Sequence, residues 1–278
     1  MFGIFCVIGM GMSAGEGIYA VYDGMNEKGL AGAQLYYRGF ARYNSSTDKA
    51  KAVQPPMLVY HMLAGCSTVD EVVDAVRNGM ILSDAPLMGA VAPLHWMFCD
   101  SCGRTAIIEP DIDGVSIYTD TAGVMTNSPP YPWHRLNLLN YTGIDCKDRE
   151  DISVGGERTE RCFSGSGAIG LPGDWSSPSR FIRLTSMLKF AIKAKNEKLG
   201  IPYFMRIMGN VVFPLGMVEV ADKECISNGK SRFDHTVYTS IMCNESLTYY
   251  WNTYENLEMR SVSLNKLKSE RNVRIYPI

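Results

Sequence analysis

The sequence predicts an α+β fold: two largely antiparallel sheets held between helical layers, a four-layer α/β/β/α sandwich in one domain spanning residues 1–278. Two observations carry this. Strand-like and helical stretches come in blocks, in the order strands, helices, strands, helices, strands. The strand-like runs are joined by short turns, so hairpins dominate over crossovers.

The first block holds an apolar strand at Ile4–Ile8 running into a glycine-rich loop, GMGMSAGEG. A short strand, Ile18–Tyr22, follows, then a turn at DGMNEKG (Asp23–Gly29) and a strand at Leu30–Tyr37. The small residues of LAGAQLYY let another layer approach closely. Arg38–Gln54 reads as an exposed connection. Pro55 and Pro56 start a helix through about Ala64. In the next helix Thr68 and Glu71 form a capping box, and Val69, Val72, Val73 and Val76 share one face, with Gly79 as the stop.

From Leu94 the pattern returns to strands. LHWMF and TAIIE make one hairpin, and GVSIYTD and GVMTNS a second pair. A helix is expected over Trp133–Asn140, with Leu136, Leu138 and Leu139 for burial. The polar stretch Asp145–Arg161 reads as a surface arm suited to oligomer contacts. Ser177 as cap and Pro178 as first helical residue open a helix to about Lys195, with Phe181, Leu184, Leu188 and Ala191 as its buried stripe. A further helix follows Pro202, over Tyr203–Met208. HTVYTSIMC, LTYYWNTY and EMRSVSL alternate with period two and close the chain as strands.

The composition is that of an ordinary globular protein: 46% hydrophobic, 20% charged, net charge −2. That balance gives no electrostatic reason to expect nucleic acid or an anionic membrane as partner. No stretch approaches the roughly 18–20 apolar residues of a membrane span. The eight cysteines are scattered and mostly lie in apolar runs, which fits free thiols and a cytoplasmic protein. Cys99 and Cys102 form one CxxC on a hairpin turn with no second ligand pair, so a turn is expected there rather than zinc. The four histidines show no HxxxH or HxH spacing, and no cofactor is expected.

GVMTNSPPYPWH (Gly123–His134) is the stretch that suggests chemistry. It reads as a strand ending in a polar corner, stopped by Pro129 and Pro130. An asparagine at such an exit, Asn127, can aim its amide N–H groups at developing negative charge, as an oxyanion hole requires.

DGMNEKGLAGAQLYY, PLHW, IIEPD, GVMTNSPPYPWH, GLPGDWSSPSRFIR and the YTSIMC…YY hairpin together resemble the choloylglycine hydrolase family, from about Phe5 to the end. These are N-terminal-nucleophile amidases, among them penicillin V acylases and conjugated bile salt hydrolases. The resemblance implies hydrolysis of a linear amide through an acyl-enzyme. The attacking group is the thiolate of a first-residue cysteine, whose own amino group serves as base. It implies that Asn127 is the oxyanion-hole asparagine and Arg180 a fixed cation organising charge near the nucleophile. Tyr36 matches a position that looks like Asn in bile salt hydrolases and Tyr in penicillin V acylases. A small-molecule amide, of the penicillin V or conjugated bile acid type, is the implied partner. A homo-oligomer, up to a tetramer, is also expected. Tyr36, GAQLYY and the PLHW context look more like the acylase branch, with bile acid amides as the alternative.

The family's nucleophile, first arginine and aspartate belong to a region of roughly 45–50 residues before Phe5. Cys6 is the only cysteine near the start, and Tyr22 and Met25 stand where its Arg and Asp partners would be. The expectation is an N-terminally truncated copy that lacks turnover as given. The alternative of another class is a non-catalytic remnant that binds acyl amides or pairs in an oligomer.

Overall fold

The structure is a computed structural model that describes residues 5–45, 50–220, 232–267 and 273–276. Ile4, part of the Arg38–Gln54 connection, and Cys225 lie outside the described residues.

A six-stranded antiparallel sheet is built from β1 (Val7–Gly15), β2 (Ile18–Asn26), β3 (Ala31–Tyr36), β6 (Leu94–Cys99), β7 (Thr105–Asp111) and β8 (Gly114–Tyr118), in that spatial order. A short parallel pair, β4 (Ala52–Val53) and β5 (Ile81–Leu82), lies on the connection between β3 and β6. One face of the sheet is covered by α1 (Leu58–Gly65) and α2 (Val69–Arg77), whose Leu58, Met62, Val69 and Val72 are buried against Leu94, Trp96, Phe98 and Ile108. Thr68 caps α2 as expected, its hydroxyl accepting from the Glu71 N–H at 3.2 Å. The Glu71 carboxylate reaches back to the Ser67 N–H, one residue earlier than a standard capping box.

Alternation along β7 divides the cores. Ile108 faces α1 and α2, while Ile107 faces the opposite side. There it meets α3 (Tyr131–Asn137) and α4 (Ser177–Phe190) through Tyr131, Phe181 and Ile182. A three-stranded antiparallel sheet, β13 (Tyr238–Cys243), β14 (Thr248–Thr253) and β15 (Arg260–Ser263), packs on the same side of β1 and β2. Its Tyr249 and Trp251 bury against Met25, Ile8 and Met10. Helix α5 (Glu197–Met208) lies against β13 and α4, which supplies the fourth layer. Two small antiparallel pairs remain: β9 (Ile152–Val154) with β10 (Glu157–Thr159), and β11 (Val218–Glu219) with β12 (Phe233–Asp234).

The two sheets are joined by a buried carboxylate. Asp23 of β2 accepts hydroxyl hydrogen bonds from Tyr238, from Ser240 at 3.0 Å and from Tyr249 at 2.6 Å. Burial raises its pKa, against the downward pull of the three hydroxyls.

The structure corrects several expectations. The glycine-rich segment after Ile8 is not a loop: β1 runs through it to Gly15 and pairs with β2. The glycines serve close backbone approach, because a Cβ at Gly9 would collide with the Asp23 carbonyl and one at Gly11 with the Ala20 carbonyl, beside a bulge at Met10/Gly11. β2 accordingly extends to Asn26, and the turn shrinks to the four residues between it and β3. There Asn26 Oδ1 takes the Lys28 and Leu30 N–H groups.

GVMTNS forms no strand with β8. Its polar side chains bond across to other elements instead. Leu136 and Leu139 are exposed, whereas Tyr131 and His134 are the buried residues of α3. Helix α4 is capped by Ser176, one residue before the expected position, and ends at Phe190. Helix α5 starts at Glu197, capped by Asn196, with Pro202 inside it rather than before it. Cys6 is half-buried against the inter-sheet core.

Candidate active site

Three chain segments meet where β3 ends. The first is the end of β3 itself, Tyr36. The second is the segment 123–130 that leads into α3. The third is the first turn of α4. The three residues expected at the site are brought together there.

Asn127 is the hub. Its Nδ2 donates to the Tyr36 main-chain carbonyl at 2.8 Å, and its Oδ1 accepts from Arg180 Nη2 at 2.8 Å. The amide is therefore oriented by an acceptor on one side and a cation on the other, which fixes which end carries N and which O. A side-chain amide has two N–H groups, and only one is used by the bonds found among the described residues. Asn127 is half-buried. The neighbouring Ser128 hydroxyl donates to the Arg38 carbonyl at 2.7 Å, a second clamp on the same edge.

Arg180 sits in a slot made by its own helix start. Nε donates to the Trp175 carbonyl at 3.0 Å, and the guanidinium lies 5.0 Å from the centre of the Phe213 ring. Among the described residues no carboxylate pairs with it. Burial, with the like charge of Arg183, pushes its pKa down to about 10, so it stays cationic at neutral pH. A fixed cation without a counter-ion, bonded to the amide of Asn127, strengthens the positive end of that amide where an anion would form.

The contact of Tyr36 with Asn127 runs through the backbone carbonyl, not the phenol. The ring is half-exposed and carries the Arg38 guanidinium at 5.1 Å. It offers an aromatic wall, with its hydroxyl free of any hydrogen bond found among the described residues.

The reading of the sequence missed the supports of this hub. The Ser177 hydroxyl donates to the Asn127 carbonyl at 2.6 Å, and His134 Nε2 lies 2.9 Å from the same oxygen. Glu109 of β7 takes the Tyr131 N–H at 3.0 Å and His95 Nδ1 at 3.0 Å, which fixes the start of α3. Arg183 is buried and donates to the carbonyls of Pro172, Asp174 and Asn210. The WH pair after the prolines and the Ser177-Pro178 pair were the available signals. Neither type of residue announces a main-chain partner about 7 or 50 positions away.

A family model described as linear amide C–N hydrolases, choloylglycine hydrolase family, matches residues 5–273. A bile salt hydrolase/transferase of Clostridium perfringens is 32% identical over 269 residues, 94% of this chain and 78% of its own length. A penicillin V acylase of Pectobacterium atrosepticum is 30% identical over 205 residues, 70% of this chain and 47% of the acylase. Among solved structures, a variant of the conjugated bile acid hydrolase from Clostridium perfringens matches with a TM-score of 0.83 at 30% identity, over 94% of this chain and 78% of that one. The penicillin V acylase of Agrobacterium tumefaciens matches with a TM-score of 0.70 at 20% identity, over 91% and 68%, a likeness of fold alone.

Proposed function

Since the chain belongs to the choloylglycine hydrolase family of linear amide C–N hydrolases, we propose that Asn127 and Arg180 form the anion-stabilising wall of its amide site. Its fold is the N-terminal-nucleophile type of α+β sandwich. The observation that carries the proposal is the Asn127 amide, held between the Tyr36 carbonyl and the Arg180 guanidinium with one N–H left over. A scissile carbonyl placed on that N–H gains stabilisation as its oxygen becomes an oxyanion. Arg180 supports the amide from behind without leaving its slot.

For the substrate, the similarity to proteins named as bile salt hydrolases favours a conjugated bile acid amide. Penicillin V is the second reading, supported by the half-exposed Tyr36 ring, an apolar face suited to an aryl-acetyl group. Cys6 is not the nucleophile in this proposal. It packs against the inter-sheet core, and its carbonyl is tied to the Glu27 N–H at 3.0 Å.

Calorimetry with glycocholate and with penicillin V, beside an assay for released amine and carboxylate, tests all of this. Binding of glycocholate ahead of penicillin V, lost in Asn127→Ala and kept in Cys6→Ala, is the expected result. Turnover by this chain that disappears in Cys6→Ala would overturn the assignment of Cys6. Tighter binding of penicillin V would reverse the substrate order.

The proposal extends to a cytoplasmic homo-oligomer, up to a tetramer. The β9–β10 hairpin supports it by leaving Ile152 and Val154 exposed. No helix among the described residues is long and apolar enough to cross a membrane.

A further inference from the structure

The Asn127 main-chain carbonyl has two lone pairs, and both are taken. Ser177 Oγ lies 2.6 Å away and His134 Nε2 lies 2.9 Å away. A carbonyl can only accept, so both partners donate. His134 is therefore protonated on Nε2. Its Nδ1 is buried and has no hydrogen-bond partner among the described residues. The ring is stacked on Phe181 at 4.7 Å and meets Trp133 edge-on, which holds its plane. Ser177 is the first residue of α4, one turn before Arg180, and Thr126 donates to its carbonyl at 3.2 Å. The same helix start thus grips Asn127 twice, by Ser177 at its backbone and by Arg180 at its side chain.

We propose that His134 and Ser177 are positioning residues for the amide chemistry, fixing the Asn127 backbone so that its spare N–H holds one direction. The inference rests on the reading of Asn127 as the oxyanion donor. An asparagine bonded only through its side chain could swing with its backbone. With the carbonyl locked as well, both ends of the residue are set before a substrate arrives, and preorganisation is what makes such a donor effective.

The neutral Nε2–H tautomer is part of the device. A second proton would go to Nδ1, where no acceptor waits among the described residues. Burial lowers the His134 pKa, and the charges of Arg180 on α4 and His95 on β6 push the same way. Glu109 on β7 and the bond to the Asn127 carbonyl oppose them. The folded-state pKa lies below the unfolded one, so the contribution of His134 to stability is complete above about 6.5 and is lost as pH falls through the lower folded value.

Nitrogen-15 NMR of the intact chain tests the proposal. The expected spectrum shows His134 as the Nε2–H tautomer, still neutral at pH values where free imidazole is half protonated, about 6.5. Ser177→Ala and His134→Phe should each speed exchange of the Asn127 side-chain amide protons by roughly tenfold, the worth of one hydrogen bond. His134→Gln, which keeps a donor near the Nε2 position, should restore the slow rate. A purely structural role would lower Tm in both variants and leave the Asn127 resonances and exchange in place, and that result overturns the proposal. A wild-type His134 found as the Nδ1–H tautomer, or titrating at or above its ordinary value, overturns it without any variant. The two readings fail separately: if Asn127→Ala leaves glycocholate and penicillin V binding unchanged, the amide site falls, while the locked Asn127 of the unsubstituted chain stands or falls by its own spectra.

Discussion

Asn127→Ala is expected to remove amide chemistry and to lower stability, and Asn127→Asp is expected to separate the two effects. Loss of one oxyanion donor lowers kcat by about 10²–10³, roughly 2.7–4 kcal/mol, in enzymes where it has been removed. The same size is expected here in any assembly that turns the amide over, with KM little changed, because the donor acts most strongly on the charge of the transition state.

Alanine also strips Arg180 of the Oδ1 acceptor that stands 2.8 Å from its Nη2. A hydrogen bond to a charged group is worth about 1.5–3 kcal/mol, so the denaturation midpoint should fall with it. Aspartate keeps an acceptor for the guanidinium, and by its charge improves that contact, but it has no N–H to offer the Tyr36 carbonyl or a substrate oxygen. Asn127→Asp should therefore recover most of the stability and none of the function. Equal recovery of both, or of function alone, would mean that Asn127 is a spacer for Arg180 and not a donor.

The layers of the fold were legible because their signals are local. Four valines on one face place α2, apolar runs either side of a short turn place β6 and β7, and period-two alternation places the C-terminal hairpin. The errors share one physical cause, which is that a contact made elsewhere overrules the local pattern. Glycines that read as loop in β1 are there because another strand's carbonyls come too near for a side chain. Leu136 and Leu139 look like a core face, yet α3 is rolled by the bonds of His134 and Tyr131 until those leucines meet solvent. Pro202 reads as a helix start because it cannot donate, but Asn196 caps the helix six residues earlier.

The candidate residues came from the motifs, and their wiring was not legible there. Asn127, Arg180 and Tyr36 meet, as the motifs implied, but Tyr36 contributes its carbonyl and Ser177 contributes a hydroxyl to a backbone oxygen. Main-chain acceptors are common to every residue type, so no side-chain pattern announces them.

Arg183→Ala is the substitution expected to cost most in stability alone. Arg183 is only 5% exposed and bonds three carbonyls: Asp174 at 2.6 Å, Pro172 at 2.8 Å and Asn210 at 2.9 Å. Two of the three lie in the short run before α4, and the Trp175 carbonyl that follows is the one Arg180 holds. Removing the guanidinium takes away charge-assisted bonds worth about 1.5–3 kcal/mol each in favourable cases. Water will replace part of this, since Asp174 and Asn210 are exposed residues. A net loss of about 3–5 kcal/mol is expected, the range for breaking a buried charged network.

One term runs the other way. Arg183 is a like charge beside Arg180 and depresses its basicity, so its removal relieves that repulsion. Arg180 keeps its Trp175 carbonyl with or without Arg183, and the relief does not restore the three acceptors left bare, so the loss should dominate. Arg183→Lys tests the geometry rather than the charge. An ammonium on a flexible stem keeps the charge but cannot span acceptors set for a planar fork, and it should recover less than half of the stability. Urea denaturation with an unchanged m-value would register the difference cleanly. If Arg183→Lys matches the unsubstituted chain, charge alone is what this position needs, and the three carbonyl contacts contribute nothing of their own.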